Sequence, residues 1–205
     1  MQISDFKSFL DKKRGEHAYL VKHKEELDKV LASFQENKTF IEEAQTILQQ
    51  TAKTTQNRLS FHISNFITSA LQSIWGEDTY TFSLDFIEKR NKTEVQMILH
   101  TSEGDVSLEN LNDIAIGGGV LDIVALALRI ALWSLQANHQ KVMILDQPLS
   151  NLDQNYLPKA GQLITELSEK LGIQFIMINH NPALAGIATQ TFEIEKEAGI
   201  SRIKK

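Results

Sequence analysis

Neither glycine nor proline occurs between Gly15 and Gly76. These two residues break helical backbone, one by excess freedom and the other by its missing N–H. Their absence over so long a run predicts a helix on the order of 90 Å at ~1.5 Å per residue. Within the run Leu20, Leu27, Phe34, Ile41 and Leu48 recur one heptad apart. That spacing lays an apolar seam along one side of a helix, the pattern of a coiled coil. The companion positions Lys24, Leu31, Lys38 and Gln45 are mostly polar, so the seam is narrow and predicts an arm that needs a partner helix. From Thr51 to Arg58 the pattern lapses, and it resumes in a shifted phase at Leu59, Ile63, Phe66, Ala70 and Ile74. This second half reads either as more arm or as an amphipathic helix packed on a core.

The texture changes after Gly76. "TYTFSLDFIEK" and "TEVQMILHT" are rich in strand-forming residues and are joined by "RNK", which predicts a hairpin. Three glycines, Gly117 to Gly119, then open a strongly apolar helix that ends near Leu135. The remainder predicts a strand over 141–146, a helix over about 155–170, a strand over 173–178, a short helix near 183–188 and a last strand at "QTFEIEK". Alternating strands and helices predict an α/β fold with a largely parallel sheet and ligands at the strands' carboxyl ends. The domain reading is a helical arm over 1–75 and an α/β lobe over 76–205.

Bulk properties narrow the function. A net charge of −5 over 205 residues argues against a globally basic nucleic-acid binder while leaving room for a local basic patch. With no cysteine there is neither a disulfide framework nor a thiolate metal site. The opening "MQISDFKSFLDKKRGEH" is too charged for a signal peptide, and no apolar run approaches membrane-spanning length. The expectation is a soluble cytoplasmic protein without a membrane partner.

The chemistry concentrates in "KVMILDQPLSNLD" and "FIMINH". Four apolar residues lead into Asp146; a carboxylate at the end of a buried strand needs a partner or a cation, because an isolated buried charge is very costly. Magnesium held together with nucleotide phosphates is one such cation. Pro148 and "SNLD" follow, and a second apolar strand runs into His180. His17, His23, His62, His100 and His139 show no metal-ligand spacing, and Trp75 and Trp133 read as packing residues. Arg90, Asn91, Lys92 and the terminal "SRIKK" are charged enough to touch a phosphate backbone, but a solvated turn and tail explain them equally.

In this order the residues resemble the nucleotide-binding domain of ABC-type ATPases. Asp146 and Pro148 match the Walker B strand and its following proline, Ser150, Asn151, Leu152 and Asp153 the D-loop, and His180 the switch histidine. "IAIGGGVLDIVALALRIAL" resembles the signature motif and its helix, with Gly117 at the signature serine, Gly118 and Gly119 at its glycines, and Val120 at the following polar residue. A helix start of this kind offers free N–H groups and a positive dipole end to phosphate. The long arm running into such a lobe points to the SMC, RecF and SbcC-like branch. The resemblance therefore implies the C-terminal half of an ABC ATPase head that works on DNA. It also implies ATP and Mg²⁺ as cofactors, with Asp146 toward the metal, residue 147 and His180 in catalysis, and Gly117, Gly118, Gly119, Ser150, Asn151 and Asp153 toward the nucleotide. Two heads would meet head to head, and a nuclease or other effector could join the complex.

Two departures qualify this. Nothing matches the phosphate-cradling G-x-x-x-x-G-K-[ST], so the P-loop must come from a partner subunit or an N-terminal half. Gln147 stands where the resemblance expects a catalytic glutamate, and an amide cannot accept the proton of an attacking water as a carboxylate does. It is either an engineered replacement for glutamate or, with the degenerate signature, the mark of a naturally weakened site. Three functions follow: half of a split ATPase in DNA repair, recombination, phage replication or anti-phage defence; a non-catalytic assembly subunit that keeps the lobe; or half of a transporter ATPase.

Overall fold

The computed structural model describes residues 3–90, 92–109, 116–136, 140–197 and 200–204. Asn91 of the "RNK" turn, Ile114 and Ala115 of the signature stretch, His139 and Lys205 lie outside the described residues. A single helix, α1, runs from Ile3 to Trp75, straight through the stretch where the apolar pattern lapses. Nothing in that stretch breaks a helix. Thr51, Thr54 and Thr55 instead donate their hydroxyls to carbonyls one turn back, those of Ile47, Gln50 and Thr51, at 2.8–2.9 Å.

The chain divides into two units, Met1–Thr55 and Gln56–Lys205. In the first, α1 buries none of its heptad seam: Leu20, Leu27, Phe34, Ile41 and Leu48 are 54–70% exposed. The remaining turns are solvated, with i,i+3 and i,i+4 pairs such as Lys13–Glu16 and Lys38–Glu42. In the second unit the shifted phase does the packing. Ile63, Ile67, Ala70, Leu71 and Ile74 are buried in one cluster with Phe82, Leu99, Ile123, Leu126, Ile130, Leu157 and Ile164. Of the two readings of this half, the packed amphipathic helix holds.

Three strands form an antiparallel sheet in the order β1 (Tyr80–Lys89), β2 (Lys92–Thr101), β3 (Gly104–Ser107). The hairpin expected from "RNK" is present, with Lys89 opposite Lys92 and Arg90 at a φ of 51°. Strand β1 is an edge, and α1 covers it. Ser64 and Thr68 accept the Leu84 and Phe82 N–H groups at 2.9 Å, while Ser60 and Thr68 donate to the carbonyls of Leu84 and Phe82. Residues spaced four apart on the helix thus answer alternate residues of the strand, satisfying backbone groups that an edge would leave open.

The apolar helix α2 spans Gly118–Ser134, β4 Val142–Asp146, α3 Leu157–Leu171, β5 Gln174–Ile178 and α4 Pro182–Ala185. The hairpin β6 (Ile194–Glu197) and β7 (Ile200–Ile203) closes the order. Strands β4 and β5 pair in parallel through the crossover helix α3. The sheet is less parallel than the alternation predicts, because every other strand pairing is antiparallel. Among the described residues α3 forms the crossover of the parallel pair, and the other paired strands are joined by connections too short for anything but antiparallel pairing.

Candidate functional site

Strands β4 and β5 bury one face and leave the other open. Leu145 is buried, whereas Val142, Ile144, Ile176 and Ile178 are exposed, Ile144 to 70%. Alternation along β4 puts Asp146 on the open face with Val142 and Ile144, opposite Ile178 in register. This corrects the premise drawn from the apolar run, since Asp146 is exposed and water solvates its charge. Hydropathy shows that a strand is apolar on both faces but not that both faces are covered within the chain.

The chain leaves β4 with an abrupt change of direction at Gln147. Its N–H still donates to Ile178 O at 2.9 Å, extending the ladder by one residue, while its φ of 45° places it in the left-handed region. For a residue with a β-carbon that conformation costs about 1–2 kcal/mol. It brings the Gln147 carboxamide across to His180, with Nε2 to Nε2 at 2.9 Å over a sequence separation of 33. His180 is held in turn by its neighbours: Asn181 N–H donates to Asn179 Oδ1 at 2.5 Å, and Ala183 N–H to Asn181 Oδ1 at 3.0 Å. These side-chain turns fix the segment that carries the imidazole.

A second group forms where α2 begins. Gly117 is the helix N-cap residue, in extended backbone, with open space around its α-carbon. A β-carbon on Gly118 would stand 2.9 Å from Asn151 Cβ, and one on Gly119 would stand 3.0 Å from Leu152 Cα and 3.1 Å from Asn151 O. The turn Ser150–Asp153 therefore lies directly on the first turn of α2. Asp122 holds it there, accepting the Asn151 N–H at 2.8 Å and the Asn151 side-chain amide at 3.2 Å. Asp153 shapes the far end of the turn by accepting the Asn155 N–H at 2.8 Å. Thus the glycines and the turn meet, Gln147 and His180 meet, and no hydrogen bond among the described residues joins the two groups.

Sequence reasoning passed over Asp122, whose only local signal is a charge one helical turn into a largely apolar helix. It also missed the α1–α3 contact. Lys159 donates to Ile74 O at 2.9 Å, bringing a cation to the carbonyl end of α1, whose last turn has no basic residue. Trp75 packs between Tyr80 and Tyr156 at centroid distances of 5.5 and 5.4 Å, a packing role as expected. His100 bridges Ser83 at 3.0 Å and Asp105 at 2.7 Å as a cross-strand ladder that ties β3 to β2. Lys204 of the terminal segment pairs with Glu193 and Glu195, and these partners raise its pKa above the usual lysine value.

Among the described residues no group of three or more His, Cys, Asp or Glu could hold a metal ion. A single carboxylate such as Asp146 nonetheless suits magnesium, which is held by one or two carboxylates with phosphates and water rather than in an all-protein cage. Nor is any described helix long and apolar enough to cross a membrane.

No protein-family model matches the chain. A DNA double-strand break repair Rad50 ATPase of Sulfolobus acidocaldarius is 25% identical over 162 residues, 77% of this chain. A lipoprotein-releasing system ATP-binding protein, LolD, of Oleidesulfovibrio alaskensis is 32% identical over 56 residues, 27% of this chain. A structure solved in a study of ATP-driven dimerization and DNA-stimulated activation of SMC ATPases superposes with a TM-score of 0.58 and 19% identity, covering 74% of this chain and 88% of that one. The chain spans 18% of the Rad50 relative's length and 24% of LolD's. Its fold is similar to that of an SMC ATPase head. Sequence relative and superposition together are consistent with the C-terminal lobe of a head of the SMC/Rad50 kind.

Proposed function

We propose that the chain is the C-terminal half of a split SMC/Rad50-like ATPase, which joins a P-loop-bearing partner subunit or N-terminal half to bind ATP and act on DNA. The observation that carries this reading is the convergence at one sheet end of Asp146, Gln147 and His180, beside an apolar sheet face open to solvent. Exposed apolar surface of this kind marks an assembly face. A lobe bringing the P-loop would cover Val142, Ile144, Ile176 and Ile178 and bring phosphates to Asp146. Magnesium, when bound there, would neutralise phosphate charge. His180 would hydrogen-bond the terminal phosphate, and Ser150, Asn151, Asp153 and Gly117 to Gly119 would face the nucleotide across a head-to-head dimer. In this reading the seam of α1 from Leu20 to Leu48 serves as the arm and takes an antiparallel partner helix, while the packed end of α1 joins residues 76–205 in the lobe. The Rad50 relative is a DNA double-strand break repair ATPase, which supports DNA repair as the setting. Recombination, phage replication and anti-phage defence use the same kind of machine, with a nuclease or other effector attached, and the cytoplasm is the fitting compartment.

A second reading is favoured by Gln147 itself: an assembly subunit that keeps the lobe without the chemistry. The test is steady-state phosphate release by the complex of this chain with a P-loop-bearing partner. Gln147→Glu should raise the rate by about 10²–10⁴-fold, the usual worth of a general base. Asp146→Asn in that background should remove the gain. A complex that binds Mg-ATP and gains nothing from Gln147→Glu supports the assembly role. The transporter alternative loses ground to the arm.

A further inference from the structure

Gln147 is more than a missing carboxylate. A carboxamide nitrogen carries two hydrogens and no available lone pair, so it can only donate. Its contact with His180 Nε2 at 2.9 Å therefore requires that ring nitrogen to accept. A neutral imidazole that accepts at Nε2 has its proton on Nδ1. A glutamate carboxylate at the same place would demand the opposite, a proton on Nε2 to donate to it. The left-handed backbone of residue 147, with its N–H still on Ile178 O, is what aims the amide at the ring. The Asn179 and Asn181 side-chain turns order the backbone segment that carries the imidazole.

We propose that Gln147 is a positioning residue that sets the tautomer of His180, keeping Nε2 as acceptor and the ring proton on Nδ1. His180 then has Nδ1–H as its available donor, so an anionic phosphate oxygen reaching this sheet end takes its hydrogen bond from Nδ1 rather than Nε2. That consequence rests on the nucleotide-binding reading above. The tautomer itself does not, since it is a property of the chain without nucleotide or partner.

The experiment is ¹⁵N-resolved long-range imidazole NMR on the full chain, at mildly alkaline pH. His180 should show a pyridine-type Nε2 and a pyrrole-type Nδ1, the reverse of free histidine, which prefers its proton on Nε2. Gln147→Gly removes the amide while admitting the left-handed backbone without strain, so the fold is kept and His180 should return to Nε2–H. Gln147→Glu should also give Nε2–H. A wild-type ring with its proton mainly on Nε2 would overturn the proposal, because the amide would then be turned round with its oxygen accepting. An Nδ1–H ring that persists in Gln147→Gly would overturn it too, by showing that something else sets the tautomer. Neither result touches the phosphate-release test, so the two readings fail separately.

Discussion

Placing a methyl group on Gly119 should destabilise the chain, although the same change inside an unobstructed helix would stabilise it. Glycine costs about 1 kcal/mol relative to alanine in a helix interior, so Gly119→Ala starts with a gain of at most that size. Against it, the new β-carbon stands 3.0 Å from Leu152 Cα, 3.0 Å from Leu152 Cδ1 and 3.1 Å from Asn151 O. Carbon–carbon contacts are optimal near about 3.5–4.0 Å, and two of these three neighbours are backbone that cannot rotate aside. Overpacking of this kind costs roughly 1–3 kcal/mol. If the turn retreats to make room, it strains the Asn151 N–H bond to Asp122, now 2.8 Å. The expected balance is a loss of about 1–2 kcal/mol. Gly118→Ala meets Asn151 Cβ at 2.9 Å and should lose stability as well, whereas Gly117→Ala, with nothing within 4 Å, should stay within about 0.5 kcal/mol of wild type. Urea unfolding followed by circular dichroism reads all three as midpoint shifts at constant slope. A Gly119→Ala chain as stable as wild type, or more so, would refute the close packing of the turn on α2. The resemblance reads these glycines as room for a phosphate. The structure adds that two of them are needed within the chain, to seat Asn151 and Leu152.

The other expectations concern assembly. Leu27→Asp together with Phe34→Asp should abolish co-purification with the P-loop-bearing partner while the circular dichroism of the head is kept; undiminished co-purification would remove the arm as the joint. The chain alone should bind Mg-ATP too weakly for calorimetric detection, because it has no phosphate-cradling loop, and micromolar affinity would defeat the two-lobe reading.

What the sequence determines by itself is what local periodicity and punctuation can encode. The missing Gly and Pro specify a long helix, and the change of phase after Arg58 separates a seam that stays exposed from the residues that enter a core, Ile63 and Ile74 among them. The runs ending at Asp146 and before His180 are strands because apolar residues cluster there between breakers, and the order of motifs is enough to suggest the ABC head. Tertiary structure decides the rest, because it depends on residues distant in sequence. The covering of β1 by Ser60, Ser64 and Thr68 needs the helix and strand in register, and no period in either reveals it. Asp122 gains its role only when the Ser150–Asp153 turn is laid on α2. Asp146 and its apolar neighbours are exposed because a strand's composition records what it can bury, while the chain that covers it decides what is buried. At Gln147 the residue type is plain from the sequence, but its left-handed backbone is not. That conformation is intrinsically unfavourable for any residue with a β-carbon, and here it accompanies the Ile178 and His180 hydrogen bonds, both formed across the sheet.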